Sequence, residues 1–203
     1  MNSAGKRNIL VIGISGGLAQ ITSRLLLQNN HEWSIIGIDT RSVDKVPPHP
    51  RLTAVSMKYS RGNFENLFRS NKFDAVLHLG RLSHSSSDSN QLAKRLELSV
   101  MGTSRILEMC LRAEVQKVVV LSTFHVYGAL PDNPVFISED APLQASIRHP
   151  ELRDVVEMDQ ICTNWMWKYQ NQLSTVVLRP CNIIGTQIQN TMSRYLTNSM
   201  ALR

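Results

Sequence analysis

Cysteine is scarce in this chain, and its three copies, Cys110, Cys162 and Cys181, lie far apart. An odd count without a C-x-x-C pair indicates neither a disulfide framework nor a zinc site, and it fits a reducing cytoplasm. Two of the three fall on apolar helix faces, where a thiol serves as a small core residue. Long hydrophobic runs are missing too. An apolar stretch follows Lys6-Arg7 in the manner of a signal peptide, but glycines at 13, 16 and 17 interrupt it. No segment approaches the roughly 20 residues that span a bilayer as a helix.

Charge is not concentrated either. The net charge of +6 and pI near 9.5 raise the question of nucleic acid. However, there is no run of basic residues and no basic patch interleaved with aromatics. The balance reads as a solvated surface with some attraction for phosphorylated ligands, and no nucleic-acid or membrane partner is expected. His31, His49, His84 and His149 lack metal-ligand spacing, so no metal is expected. Neither an internal repeat nor a linker divides the 203 residues, which read as one domain.

What the chain does contain is alternation. Strands are expected at 8–14, 33–39, 52–57, 74–79, 118–122 and 175–179, and helices at 17–28, 62–70, about 90–113 and about 150–170. Val46-Pro-Pro-His-Pro50 is an irregular link, Ser83–Ser89 a serine-rich lead-in, and 129–149 a proline-rich loop. Pro150 suits the first turn of the helix that follows, with Glu151 and Asp154 near its positive end. Strands alternating with helices at these distances imply a doubly wound parallel sheet covered on both faces, an α/β fold of the Rossmann type.

The most informative stretch is Ile9-Leu-Val-Ile-Gly-Ile-Ser-Gly-Gly-Leu-Ala19. A buried strand runs directly into a turn through Gly13, Ser15, Gly16, Gly17 and Leu18 that opens a helix. Free backbone N–H groups at the positive end of a helix suit a pyrophosphate. The spacing is G-x-x-G-x-x-A rather than G-x-G-x-x-G, a weak signal by itself. A second strand, Trp33–Asp39, ends in an acid 23 residues beyond Gly16. Such an acid can accept hydrogen bonds from the adenosine ribose, or simply cap a turn. Because a carboxylate repels a 2′-phosphate, NAD is favoured over NADP; Arg41, two residues on, keeps NADP as the minority option.

Ligands of such sheets gather at the carboxyl ends of the strands. Those ends carry Gly13–Gly17, Asp39, Leu79–Leu82, Ser122–Gly128 and Arg179–Gly185. Together with Asp-Ala-Val-Leu-His-Leu-Gly (74–80), Val-Met-Gly-Thr-Ser-Arg-Ile-Leu-Glu (100–108), Leu-Ser-Thr-Phe-His-Val-Tyr-Gly (121–128) and Leu-Arg-Pro-Cys-Asn-Ile-Ile-Gly (178–185), the chain resembles the extended short-chain dehydrogenase/reductases of the NAD-dependent epimerase/dehydratase type. The resemblance runs over about residues 8–185. It implies that Gly13, Gly16 and Gly17 cradle the pyrophosphate and that Asp39 holds the adenosine ribose. It also implies that Leu79, Gly80 and Arg81 lie along the cofactor, and that Ser99 and Pro180 stand near the nicotinamide half. Ser122 ends the fifth strand beside it. Thr123 would hydrogen-bond the reacting hydroxyl and Asn182 would touch the substrate, a nucleotide-linked sugar or related polyol.

The departures from that pattern concern the chemistry. The family's base is the Tyr of Y-x-x-x-K, and no Tyr here has Lys four residues on. The matched positions fall near Glu151 and Val155. Glu151 can in principle be a base, but Val155 cannot replace a cation; Arg148 and Arg153 are the alternative sources of charge, although both read better as surface residues. His125 is the histidine placed to shuttle a proton, weighed against a structural role, which is also the better reading of His78. Phe124-His125 stands where 4,6-dehydratases carry Asp-Glu, which argues against dehydration. Family members usually continue for another hundred or more residues, so most of the substrate-binding part is expected to be absent. Two functions therefore stand side by side: an NAD-dependent epimerase or dehydrogenase acting by hydride transfer, and a non-catalytic dinucleotide-binding sensor or scaffold. The resemblance further implies a possible homodimer through the helices near 90–113 and 150–170. Helical spacing cannot bury both Trp165 and Trp167 on one narrow stripe, so one of them is expected either to face a partner or to make an unusually deep core contact.

Overall fold

A computed structural model of the chain describes residues 6–80, 96–185, 188 and 191–197. Six strands form one sheet: β1 (Arg7–Ile12), β2 (Trp33–Asp39), β3 (Leu52–Ser56), β4 (Ala75–His78), β5 (Lys117–Leu121) and β6 (Ser174–Leu178). Their order is β3-β2-β1-β4-β5-β6 and every pairing is parallel. The chain thus winds outward from β1 in one direction, then returns and winds the other way from β4. Between β1 and β4 lies the switch point of a doubly wound sheet.

The sheet is buried on both faces because β1 is apolar on both. Leu10 and Ile12 point to one side and Ile9 and Val11 to the other, all between 0% and 3% exposed. Ile9 and Val11 join Ala19 and Leu27 of α1 (Gly17–Asn29) in one cluster. Leu10 and Ile12 join the larger cluster with Phe64 of α2 (Arg61–Ser70), and with α3 (Gly102–Arg112) and α5 (Arg153–Lys168). In α3 the buried residues Thr103, Ile106, Leu107 and Cys110 recur at the spacing of one helix face. Cys110 and Cys162 are buried on helices, and Cys181 is exposed.

The element types match the expected alternation, and the differences are local. The described part of the helix expected over about 90–113 opens with a π-helical turn, Glu97–Met101, before α3 begins. A 3₁₀ turn, Phe124–Tyr127, follows β5, and the proline-rich loop holds a four-residue helix α4 (Ala145–Arg148). Pro150 does open a turn, but it is the 3₁₀ turn Pro150–Leu152, with α5 regular only from Arg153. A further helix, α6 (Thr191–Thr197), was not expected. These short elements carry too few residues for periodicity to show. Ser83–Ser89, Arg81 and Leu82 lie outside the described residues. Among the described residues, no helix is long and apolar enough to cross a membrane.

Candidate functional site: the switch-point crevice

The loops after β1 and β4 meet at the switch point with almost no space between them. Gly13 has φ +90°, and a Cβ built on it would lie 2.4 Å from the Gly80 Cα. A side chain at position 13 is therefore excluded both by conformation and by the neighbouring backbone. The turn is fixed from below: the Gly13 and Ile14 N–H groups donate to the Ile38 carbonyl, at 2.7 and 3.2 Å. Ile14, fully buried, packs over Gly37 of β2, where an added Cβ would come within 2.5 Å of its Cγ1. Gly37 had no role in the sequence reading. An isolated glycine inside an apolar strand is the signal that could have found it.

From this turn α1 starts at Gly17 with Gly16 as its N-cap. No side chain caps it and its first turn holds no acid. Its leading N–H groups, and the positive end of its dipole, open onto the crevice without an anionic side chain to occupy them. Ser15 bridges the turn to the segment after β2: its Oγ donates to the Ser42 carbonyl at 2.8 Å and its N–H to Asp39 Oδ2 at 3.1 Å.

Asp39 ends β2 with a side chain only 4% exposed. Oδ1 accepts from the Arg41 N–H at 2.9 Å and from Arg41 Nε at 3.1 Å; Oδ2 accepts from Ser15 and from Arg41 Nη2, also at 3.1 Å. Burial alone would raise its pKa, but the hydrogen bonds from Arg41 and Ser15 together with the guanidinium charge outweigh burial and hold it below the usual carboxylate value. Tyr59 lies close by, its hydroxyl donating to the Ile38 carbonyl at 3.4 Å; burial first, and then the Asp39 charge, push its phenol above the ordinary value. Sequence reading gave Tyr59 no place here, since it follows the short edge strand β3 at no distinctive spacing.

The other end of the crevice is built differently. Ser122 is 1% exposed, and its Oγ donates at 2.5 Å to Asp159 on α5. Asp159 is fully buried and also accepts from Arg179 Nε at 2.9 Å and Nη2 at 2.7 Å. Arg179 Nη1 reaches Tyr127 Oη at 2.8 Å and the Glu139 carbonyl. Hydrogen bonding to Asp159 raises the Arg179 pKa despite its partial burial. The network ties the end of β5, the loop over 129–144, α5 and the end of β6 together. The backbone does the same, with Ser122 N–H on Leu178 O at 2.7 Å and Phe124 N–H on Pro180 O at 3.2 Å.

Thr123 is 7% exposed and its Oγ accepts weakly from the His125 N–H, at 3.5 Å. His125 is exposed with its ring against Phe124, the centroids 4.1 Å apart. Pro180 is half-buried and Asn182 exposed on the segment after β6. The Glu151 side chain is 61% exposed, with its carboxylate 3.4 Å from His149 Nδ1, whereas Val155 is 2% exposed. Arg153 pairs with Glu157 at 2.6 Å on the surface and Arg148 is exposed, so neither brings a cation to Val155. Ser99, in the π-helical turn, lies 3.5 Å from the buried Asp154 of α5. Leu79 and Gly80 sit at the switch point, with the Leu79 N–H on the Ile12 carbonyl at 3.0 Å, and Arg81 lies outside the described residues. His78 is buried, its Nε2 3.0 Å from Thr103 Oγ1; its Nδ1 has no partner among the described residues, and burial lowers its pKa to about 4.

An all-parallel 3-2-1-4-5-6 sheet with a glycine turn, an uncapped helix and an acid at its switch point defines a dinucleotide-binding α/β protein. Residues 9–202 match the NAD dependent epimerase/dehydratase family, and the chain belongs to that family. It is 26% identical over 195 residues to an uncharacterized protein of Mycobacterium tuberculosis, covering 95% of this chain and 51% of that protein. It is 27% identical over 193 residues to UDP-glucose 4-epimerase of Pisum sativum, covering 90% and 54%. The crystal structure of dTDP-glucose 4,6-dehydratase from Bacillus anthracis in complex with NAD superposes with a TM-score of 0.78 at 22% identity, covering 96% of this chain and 61% of that one. The chain thus spans about half the length of the curated relatives it matches.

Proposed function

We propose that this chain binds NAD at the switch-point crevice and forms the dinucleotide-binding part of a protein that acts on a nucleotide-linked sugar by hydride transfer. The observation that carries the reading is the α1 N-terminus. It is uncapped and acid-free, the turn leading into it packs through Gly13 against Gly80, and Asp39 ends the next strand. The residues fit the group: Gly13, Gly16 and Gly17 would leave room for a pyrophosphate against the N–H groups of the first turn of α1, and Asp39 would meet the adenosine ribose. Family membership supports the same choice of cofactor.

Bound NAD⁺ would supply the hydride acceptor; the chain supplies orientation and proton handling. In this reading Thr123 fixes the substrate hydroxyl and Asn182 contacts the sugar. His125, two residues from Thr123 and exposed at the end of β5, is the group that takes the proton, histidine being the side chain suited to exchange near neutral pH. Glu151 is the less favoured base because its carboxylate faces solvent and His149. A pair of chains meeting at α3 and α5 belongs to the same reading, supported by Trp167, which is 67% exposed while Trp165 stacks on Tyr169 at 4.4 Å.

Calorimetric titration with NAD⁺ tests the first part. Wild type should bind and Asp39→Ala should lose binding; wild type that takes up neither NAD⁺ nor NADP⁺ overturns it. Turnover is tested by adding UDP-glucose or dTDP-glucose to the NAD⁺-loaded protein and following NADH absorbance and the sugar product. Tight NAD⁺ binding with no conversion of either sugar would instead support the sensor or scaffold role.

A further inference from the structure

The chain between β2 and β3 contains no helix. Instead the link over 43–51 runs along α1, and the two do not close on each other: a cleft of about 310 Å³ remains between them. Leu27, Val46 and Leu52, all packed in the smaller core cluster, give it an apolar floor, and Pro47 and Pro48 extend the apolar lining. Both ends of the cleft are braced. At one end Arg51 donates to the Leu27, Asn30 and Trp33 carbonyls, at 2.5, 2.5 and 2.9 Å, and ties the link to the end of α1. At the other, Gln20 Nε2 donates to the Ser15 carbonyl at 3.3 Å and Ser15 Oγ holds the Ser42 carbonyl at 2.8 Å. A space framed in this way persists in the folded chain.

The charged groups of the cleft carry one sign. Arg24 and His49 line it beside Gln20 and Gln28, and no lining residue is acidic. Among the described residues Arg24, exposed on α1, has no hydrogen-bond or ion-pair partner. His49 Nδ1 accepts from the Arg51 N–H at 3.1 Å, which leaves the proton of the neutral ring on Nε2 as a further donor. Apolar walls, a volume at the lower end of the small-molecule range and a few donors at the edge are the marks of a ligand site. None of the lining residues takes part in the switch-point crevice.

We propose that this cleft is a second binding site, which takes a small carboxylate with an apolar body. The apolar body lies on Leu27, Val46 and Leu52, and the carboxylate pairs with Arg24 and accepts from His49 Nε2. A neutral molecule of the same shape gains the apolar contact but not the charge-assisted hydrogen bond, so charge sets the selectivity. The proposal stands apart from the dinucleotide reading, since the crevice contributes no residue to the cleft.

Calorimetric titration with naphthalene-2-carboxylate, octanoate and their neutral amides, without dinucleotide, tests it. At least one carboxylate should bind wild type with a Kd below about 1 mM, and its amide should bind about tenfold more weakly. Arg24→Gln should weaken that carboxylate about tenfold and leave the amide unchanged, while Arg24→Lys should recover much of the loss. Gln28→Trp, which fills the cleft from an exposed position on α1, should abolish binding of both. Thermal unfolding without ligand confirms that each variant is folded. Wild type that binds neither carboxylate makes the cleft a packing gap and overturns the proposal. So does an Arg24→Gln or Gln28→Trp variant that binds as tightly as wild type. A failure of NAD⁺ to bind overturns the reading of the crevice and leaves this site untouched.

Discussion

The two ends of the crevice use their polar groups in opposite directions. At the β1–β2 end the polar atoms line the crevice: the α1 N–H groups open onto it, and Ser15, Asp39 and Arg41 are gathered at its rim. At the β5–β6 end they turn inward, where Asp159, Ser122, Arg179 and Tyr127 are spent on one another. The difference is one of construction. The first is a property of one β-α-β unit. The second depends on a constellation brought together by several distant segments; of the two residues expected from the resemblance near the family's Tyr and Lys positions, Glu151 is exposed and Val155 buried.

Four expectations test that contrast. The largest belongs to the inward-facing end. Asp159→Ala should destabilise the fold by about 3–5 kcal/mol, because Arg179 is left with its main partner gone and its side chain only 13% exposed. Urea unfolding measures this, and any chains still folded should bind NAD⁺ with little change.

Next comes the seam beneath the switch point. His78 has a pKa of about 4 in the fold, below its unfolded value, so the unfolded chain takes up the proton first as the medium is acidified. Its contribution is complete above about pH 6.5 and is lost as pH falls toward 4, a change of roughly 3 kcal/mol. Unfolding midpoints at pH 7.5 and 5 should differ less for His78→Asn than for wild type.

At the outward-facing end, Gly13→Ala should cost about 2 kcal/mol or more and remove NAD⁺ binding, since the new Cβ meets backbone at 2.4 Å. Gly80→Ala, with its nearest contact at 3.2 Å, should do less of both. Thermal unfolding and calorimetry on the pair would show whether the approach is as tight as described. The smallest effect is that of Glu151→Gln, within about 0.5 kcal/mol in stability, as for exposed positions generally. A lost turnover in that variant would return Glu151 to the chemistry in place of His125.

The same contrast explains what could be read in the sequence. The glycine turn and the acid of β2 were legible because their meaning lies in spacing along one short segment. Strand positions were legible because β1 and β5 are apolar on both faces. Gly37 escaped because its role depends on Ile14 lying across it, a tertiary contact that no periodicity encodes. The Arg41 grip on Asp39 escaped for a related reason. The two residues are adjacent enough to be noticed, but whether the arginine faces away or folds back is decided by the carboxylate's burial. The short turns at Phe124–Tyr127 and Pro150–Leu152 sat inside a segment dominated by proline and loop composition.

Ile14 carries a last consequence. It sits between Gly13 and Ser15, yet it is wholly inside the core, so the glycine loop is anchored by a residue that contributes to folding. The conformational freedom of that loop is surrendered when the chain folds rather than when a dinucleotide arrives. Binding at this end should therefore carry little ordering entropy, and its heat-capacity change should reflect the surface the ligand itself covers. An Ile14→Ala variant should shift that entropic penalty from folding to association, weakening affinity although the altered side chain is buried in the core.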